Sequence, residues 1–117
     1  MCQLLAPEFD VLDAVLEGAA LIRSASLRRP DVVVCDIQMP LVGGIEASGR
    51  ILRDGFAKAV VALSMYNEPH LIRKAFAAGI GGYVLKTDAA DELIPAIYSA
   101  LGGERYLSAS VRRQWKD

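Results

Sequence analysis

The chain has 117 residues, of which 53% are hydrophobic and 23% are charged, and its net charge at pH 7 is −1. This length provides one domain with a single core, and the balanced charge excludes the basic surface that nucleic-acid binding requires. No apolar run approaches the ~18 residues of a membrane span, and the first residues lack the basic start and apolar stretch of a signal peptide. We therefore expect a cytoplasmic protein that makes no contact with membranes.

Two cysteines are present, Cys2 near the amino terminus and Cys35 within an apolar run. Their spacing matches neither a metal site nor a disulfide framework. Because cysteine is among the most buried residue types, we expect Cys35 to be a small hydrophobic residue of the core.

The apolar periodicity alternates between the strand pattern and the helix pattern along the chain. Strands are predicted at residues 9–15, 31–35, 59–65 and 81–86, and helices at residues 18–29, 43–54, 68–79 and 89–103. Asn67 and Asp88 are suited to cap the last two helices, and Gly79 is suited to end the third. The order βαβαβαβα predicts a parallel α/β sheet.

Three successive predicted strands end in a polar residue: Asp36, Ser64 and Lys86. Functional groups collect at the carboxyl ends of parallel strands, so a carboxylate, a hydroxyl and an ammonium would meet at one edge. Together they suit phosphoryl transfer, as nucleophile, oxygen-contacting donor and charge clamp. Alternatively, Asp36 begins a turn, Ser64 caps the next segment and Lys86 is solvated. The joint pattern of the three favours the phosphoryl-transfer site.

Three segments, DVVVCDIQMP, ALSMYNE and AAGIGGYVLKTDAADEL, occur in this order along the chain. Together they closely resemble the receiver domain of two-component response regulators, most of all the NarL/FixJ (LuxR-type) family. The resemblance covers residue 9 to about residue 107. It implies a flavodoxin-like (CheY-like) fold, in which a parallel sheet carries helices on both faces. It also implies a signalling module that regulates transcription, is phosphorylated by a sensor histidine kinase and is not an enzyme.

The resemblance implies roles for individual residues of this chain. Asp36 matches the phosphoacceptor, Ser64 the hydroxyl that turns toward the phosphoryl group, and Lys86 the cation that pairs with it. Tyr83 matches the aromatic switch residue. Gln38 matches the residue whose backbone carbonyl helps to hold Mg²⁺, which Asp36 also contacts.

The amino terminus departs from the family pattern. The family holds Mg²⁺ with an acidic pair at the end of a first strand, and a helix follows that strand. Residues 2–9 are too few for both elements, because a βα unit followed by a strand takes ~30 residues; they resemble the last turn of the first helix. The sequence therefore predicts a receiver domain without its first strand, most of its first helix and the acidic pair. Asp10 and Asp13 are predicted to face solvent along the next strand and do not replace the pair.

Two consequences follow from this prediction. With Asp36 nearly alone, the affinity for Mg²⁺ should fall and phosphorylation should be slow or absent. A missing central strand would also leave unpaired backbone groups on the strands at residues 9–15 and 31–35. Either these strands pair directly, or a partner chain fills the gap by strand swapping or edge pairing. We therefore expect a homodimer or a rearranged sheet.

The sequence changes character after Gly103, where basic residues and the only tryptophan occur. We expect residues 1–105 to form the receiver domain and residues 106–117 to begin a linker; the alternative is that the tail forms a last helical turn. Any contact with DNA would be made by a helix-turn-helix domain that this chain does not contain. The alternative function is a phosphorylation-independent dimerisation or docking module, which the missing acidic pair favours.

Overall fold

Between residues 11 and 101, strands and helices alternate in the order that the periodicity predicts, and a further strand and helix that were not predicted follow them. The computed structural model describes residues 2–5, 11–15, 18–28, 30–36 and 43–114. In these ranges the strands are β1 (Cys2–Leu5), β2 (Val11–Val15), β3 (Val32–Asp36), β4 (Ala59–Ser64), β5 (Gly82–Leu85) and β6 (Tyr106–Leu107). The helices are α1 (Gly18–Arg28), α2 (Gly44–Arg53), α3 (Pro69–Ala77), α4 (Ala89–Leu101) and α5 (Ala109–Gln114), and a 3₁₀ turn at Lys86–Asp88 joins β5 to α4. No helix in these ranges is both long and apolar enough to cross a bilayer.

The six strands form one sheet in the order β2-β1-β3-β4-β5-β6. β3, β4, β5 and β6 are parallel neighbours, which confirms the predicted parallel α/β sheet. β3 and β4 carry the β-branched apolar residues that suit strands covered on both faces, and Val33 and Val60, which stand opposite each other, are fully buried. Asp36 stands opposite Leu63, so the carboxyl ends of β3 and β4 meet at the same edge.

β1 occupies the position in the sheet where a gap was expected. It lies between β2 and β3 and is antiparallel to both, with Gln3 opposite Ala14 on β2 and Val34 on β3. The prediction that residues 2–9 resemble the end of a helix is therefore wrong for Cys2–Leu5. Direct pairing of β2 with β3 is also wrong, and no partner strand is needed there, because β1 pairs with the backbone of both strands. The antiparallel direction follows from the short connection to β2, since a parallel neighbour needs a crossover of about a dozen residues or more.

Two hydrophobic layers cover the faces of the sheet. Successive residues of a strand point to opposite faces, so Val33 and Cys35 belong to one layer, and Val32 and Val34 to the other. Buried side chains from α1, α2, α3 and α5 complete the first layer: Ala25, Ile45, Ala47, Ile51, Ile72, Ala75 and Val111. α4 covers the second layer with Ala96, Ile97 and Ala100. The predicted arrangement of helices on both faces is confirmed.

Cys35 is fully buried, as expected of a small core residue. It is also disulfide-bonded, and Cys2, the other cysteine of the chain, is its Cα partner in the β1–β3 register. The expectation of no disulfide is therefore wrong. It rested on sequence spacing, whereas the antiparallel register of β1 sets the two cysteine positions opposite each other.

The helix ends agree only in part with the predicted caps. The N-cap residue of α3 is Glu68, so the prediction that Asn67 caps this helix is wrong. The Asn67 amide donates instead to the Ser110 carbonyl oxygen at 3.0 Å. Asp88 is the N-cap residue of α4, but its side chain makes no capping hydrogen bond and accepts two bonds from Ser110. Gly79 ends α3 as predicted, with the positive φ of 98° that favours glycine.

Candidate functional site

The carboxyl ends of β3 and β5 bring two charged side chains together. Asp36 is the last residue of β3, and Lys86 directly follows β5. Lys86 Nζ donates a hydrogen bond to Asp36 Oδ2 at 2.6 Å. The Asp36 side chain is 20% exposed and the Lys86 side chain 40% exposed, so the pair is accessible from solvent. The structure thus joins two of the residues singled out in the sequence, while their chemical roles stay predictions.

Ser64 ends β4, the strand between β3 and β5, and is fully buried. Its hydroxyl oxygen accepts a hydrogen bond from the Tyr66 backbone N–H at 2.9 Å, and its hydroxyl group donates to the Tyr66 carbonyl oxygen at 3.2 Å. Serine forms such local turns with the backbone two residues ahead. Ser64 therefore lies at the same sheet edge as Asp36, bonded to the loop that follows β4.

Tyr83, on β5, is fully buried next to this loop. Its hydroxyl donates to the same Tyr66 carbonyl oxygen at 2.7 Å. Burial raises the pKa of the Tyr83 hydroxyl, its hydrogen bond with Ser64 opposes the shift, and the negative charge of Glu68 adds to it. Tyr83 is therefore a neutral donor at physiological pH, and together with Ser64 it fixes the backbone of Tyr66.

A cavity of about 270 Å³ opens at this edge of the sheet. Its lining consists of Ser64, Met65, Leu85, Lys86 and Thr87. The ammonium of Lys86 is a hydrogen-bond donor that suits the oxygen atoms of a small anion, whereas the Ser64 hydroxyl already donates to the Tyr66 carbonyl oxygen. The edge therefore combines a carboxylate with a group that attracts negatively charged oxygen.

A family comparison agrees with this arrangement of residues on a parallel sheet. The model of the response regulator receiver domain matches residues 2–98 of the chain. The chain belongs to this family. A receiver domain is a module of two-component signalling, and it is not an enzyme. The predicted family and class of function are confirmed.

Relatives and solved structures extend the comparison. The receiver domain is 33% identical over 97 residues to the response regulator GacA of Pseudomonas viridiflava. The matched region covers 83% of this chain and 45% of GacA. The crystal structure of a LuxR-family two-component response regulator from Aurantimonas sp. SI85-9A1 superposes with a TM-score of 0.83, at 32% identity, over 92% of this chain and 77% of that one. A structure of two RcsB dimers bound to two parallel DNAs gives a TM-score of 0.70 at 26% identity, over 84% of this chain and 50% of that one. The CheY-like fold is thereby confirmed, and the chain spans less than half the length of GacA.

Receiver domains typically bind Mg²⁺, an ion that prefers several oxygen ligands in octahedral geometry. Among the described residues, no group of three or more His, Cys, Asp or Glu side chains is placed to hold a metal ion. The Asp36 carboxylate is already paired with Lys86. Gln38, the predicted carbonyl ligand, lies outside the described residues, as does Asp10. The described residues alone therefore do not fit a Mg²⁺ site.

Two further interactions that the sequence did not indicate contribute to the geometry of the site. The Tyr66 carbonyl oxygen accepts bonds from both Ser64 and Tyr83. The Asn67 amide reaches Ser110, 43 residues away in the chain. A backbone carbonyl leaves no signal in a sequence, and a polar residue just before a helix indicates a cap more readily than a distant contact. Both interactions were therefore missed.

Proposed function

We propose that this receiver domain accepts a phosphoryl group on Asp36 from the phosphohistidine of a sensor histidine kinase. A carboxylate oxygen of Asp36 forms a bond to phosphorus, and the bond between phosphorus and the donor imidazole nitrogen breaks. The products are an acyl phosphate and a free histidine. The observation that supports this best is the 2.6 Å contact between Lys86 Nζ and Asp36 Oδ2, which sets a cation beside the acceptor carboxylate.

We propose the following roles for the residues around Asp36. Lys86 offsets the negative charge of the transferred group, because a fixed cation near that charge costs no reorganisation during the reaction. The Ser64 hydroxyl gives up its bonds to the Tyr66 backbone and donates to a phosphoryl oxygen. Tyr83 adjusts with it, since both side chains bond to the same carbonyl oxygen. Phosphorylation then shifts the population between two arrangements of this loop.

The test of this proposal is incubation of the chain with acetyl phosphate and Mg²⁺, followed by intact-mass measurement. We expect one phosphoryl adduct, which is lost in Asp36→Asn. Asp31→Asn is the matched control, because Asp31 precedes the same strand at its opposite end and also pairs with a lysine, Lys58, at 3.1 Å. An adduct that persists in Asp36→Asn, or none in the wild-type chain, contradicts the proposal.

We further propose that Mg²⁺-dependent phosphorylation of this chain is slow. The described residues present no carboxylate cluster for the ion, and Lys86 already pairs with Asp36. The rate of adduct formation, measured across a Mg²⁺ titration, should be about tenfold or more below that of the GacA receiver domain. An equal rate with equal dependence on Mg²⁺ contradicts this part of the proposal.

The wider role of the protein is also a proposal, since the chain spans 45% of GacA. We infer a cytoplasmic transcription regulator whose DNA contacts are made by a helix-turn-helix domain outside this sequence. The net charge of −1 supports a separate DNA-binding unit, because phosphate neutralisation requires clustered basic residues. A domain boundary between residues 105 and 106 stays a prediction of the sequence; the structure places residues 106–114 in β6 and α5, so a linker could begin only after them.

A second candidate function is a dimerisation or docking module that works without phosphate. Ile94, Tyr98 and Leu101 are 56%, 63% and 37% exposed. Their spacing sets them on one face of α4, and contiguous exposed apolar surface marks interaction sites. We propose that this face joins two copies of the chain in a homodimer. Because β1 already fills the gap in the sheet, this dimer does not require strand swapping. A dimer that persists in Asp36→Asn favours this candidate.

A further inference from the structure

The segment that follows α4 is part of the folded domain. Residues 106–114, here called the C-terminal segment, form β6 and α5. The Ser108 backbone N–H donates to the Tyr83 carbonyl oxygen at 3.1 Å, and the Leu85 N–H donates to Ser108 Oγ at 3.1 Å. Ser108 and Val111 are fully buried. The C-terminal segment is therefore fastened directly to β5, the strand that carries Tyr83.

Two acidic residues also hold the start of α5. Asp88 Oδ2 accepts a hydrogen bond from the Ser110 backbone N–H at 3.1 Å, and Asp88 Oδ1 accepts one from the Ser110 hydroxyl at 2.8 Å. Glu92 Oε2 accepts a bond from the Ala109 N–H at 2.8 Å, and its other oxygen accepts one from the Tyr106 hydroxyl at 2.7 Å. These bonds satisfy backbone N–H groups that the first turn of a helix leaves without partners.

A third connection links α5 to the loop after β4. The Asn67 side-chain amide donates to the Ser110 carbonyl oxygen at 3.0 Å. Its neighbour Tyr66 is the residue whose backbone is held by the hydroxyls of Ser64 and Tyr83. A continuous path of contacts therefore runs from Ser64 through Tyr66 and Asn67 to α5.

We infer that the Asn67–Ser110 hydrogen bond couples the conformation of Ser64 to α5, and that α5 transmits the change to the rest of the protein. The inference rests on the proposed function, in which the Ser64 hydroxyl turns toward a phosphoryl group on Asp36. That turn removes the bonds between Ser64 and the Tyr66 backbone, so the loop shifts and Asn67 separates from Ser110. The bonds from Asp88 and Glu92 do not involve this loop and keep α5 attached. Phosphorylation therefore loosens α5 without releasing the C-terminal segment.

The experiment measures hydrogen exchange in peptides covering residues 106–114 of the full chain, with and without acetyl phosphate and Mg²⁺. Intact mass on the same samples gives the fraction phosphorylated. In the wild-type chain we expect exchange in α5 to be about fivefold faster when phosphorylated, the factor for loss of one hydrogen bond. Asn67→Ala should exchange at the faster rate in both states while forming the same adduct. Asn67→Asp is a second variant of nearly equal shape that removes the donor.

Asp88→Asn is the matched control, because it weakens the attachment of α5 through bonds that do not involve the loop. We expect faster exchange in both states, with the response to phosphorylation retained. An adduct without any change in α5, or an unchanged response in both Asn67 variants, overturns the inference and leaves the proposed function intact. Failure to form an adduct overturns both.

Discussion

Lys86 and Asp36 are 50 residues apart in the chain, yet Lys86 Nζ lies 2.6 Å from Asp36 Oδ2. The parallel neighbours β3, β4 and β5 produce this contact, because Asp36 ends one strand and Lys86 follows another at the same edge of the sheet. An ion pair as exposed as this one contributes less than about 1 kcal/mol to folding. The contact therefore adds little to stability, and the role we propose for it is in the chemistry at the edge.

Replacement of Lys86 by glutamine should separate these two effects. The free energy of unfolding in urea should change by less than about 1 kcal/mol. The rate of phosphoryl adduct formation should fall about a hundredfold, because a fixed donor beside the transferring group is lost. Lys86→Arg keeps the charge, and its rate of adduct formation should fall much less. Phosphorylation of Lys86→Gln at the wild-type rate would show that the ion pair has no role in transfer.

Ser64→Ala should lower the free energy of unfolding by about 1 kcal/mol. The substitution removes the acceptor of the Tyr66 N–H, which Ser64 Oγ holds at 2.9 Å. Ser64→Thr retains a hydroxyl and is the matched control, with stability close to wild type. Urea unfolding of the three proteins checks this, and equal stability of Ser64→Ala would mean that the loop keeps its position without the bond.

The stability of the domain should decline at high pH in a manner that depends on Tyr83. Burial raises the pKa of its hydroxyl in the folded state, so folding favours the neutral form. The stabilisation that the neutral Tyr83 hydroxyl contributes to the folded state is complete below about pH 10, the ordinary pKa of tyrosine. It is lost as the pH rises through the pKa of Tyr83 in the folded state. Urea unfolding of Tyr83→Phe should show a smaller decline than wild type above that pH. A decline in Tyr83→Phe as steep as in wild type contradicts the assignment.

The exposed face of α4 should govern self-association. Tyr98→Glu sets a charge on the face formed with Ile94 and Leu101 and should raise the dimer dissociation constant about tenfold or more. Leu27→Glu is the matched control, because Leu27 is 78% exposed on α1. Sedimentation velocity over a range of protein concentrations measures the constants. A wild-type chain that stays monomeric, or equal effects of the two variants, removes the support for a dimer through this face.

Much of the fold could be predicted from the sequence because the central strands are strongly patterned. The runs that became β3 and β4 consist almost entirely of small and β-branched apolar residues, typical of covered parallel strands. Once the parallel order is known, the rule that strand ends share an edge sets Asp36, Ser64 and Lys86 together. These elements depend on local pattern and on general sheet geometry, both of which a sequence contains.

The features that the sequence did not reveal depend on long-range contacts. Cys2–Leu5 is too short an apolar run to separate a strand from a helix end by periodicity, and its pairing is decided by the unpaired backbone groups of β2 and β3. Asn67 illustrates the same limit, since its partner Ser110 is 43 residues away and accepts through a backbone carbonyl. Helix capping was the reasonable local interpretation of Asn67, but in the structure its side chain makes a tertiary contact instead.

Asp36 is the proposed phosphoacceptor, and the most direct measurement locates the phosphoryl group. Borohydride reduces an aspartyl phosphate to homoserine, so the chain is treated with acetyl phosphate and Mg²⁺, reduced, digested and sequenced by tandem mass spectrometry. We expect homoserine at position 36 and aspartate at every other aspartate position. Homoserine at another position, or unchanged aspartate at position 36 in a sample whose intact mass shows the adduct, would contradict the claim.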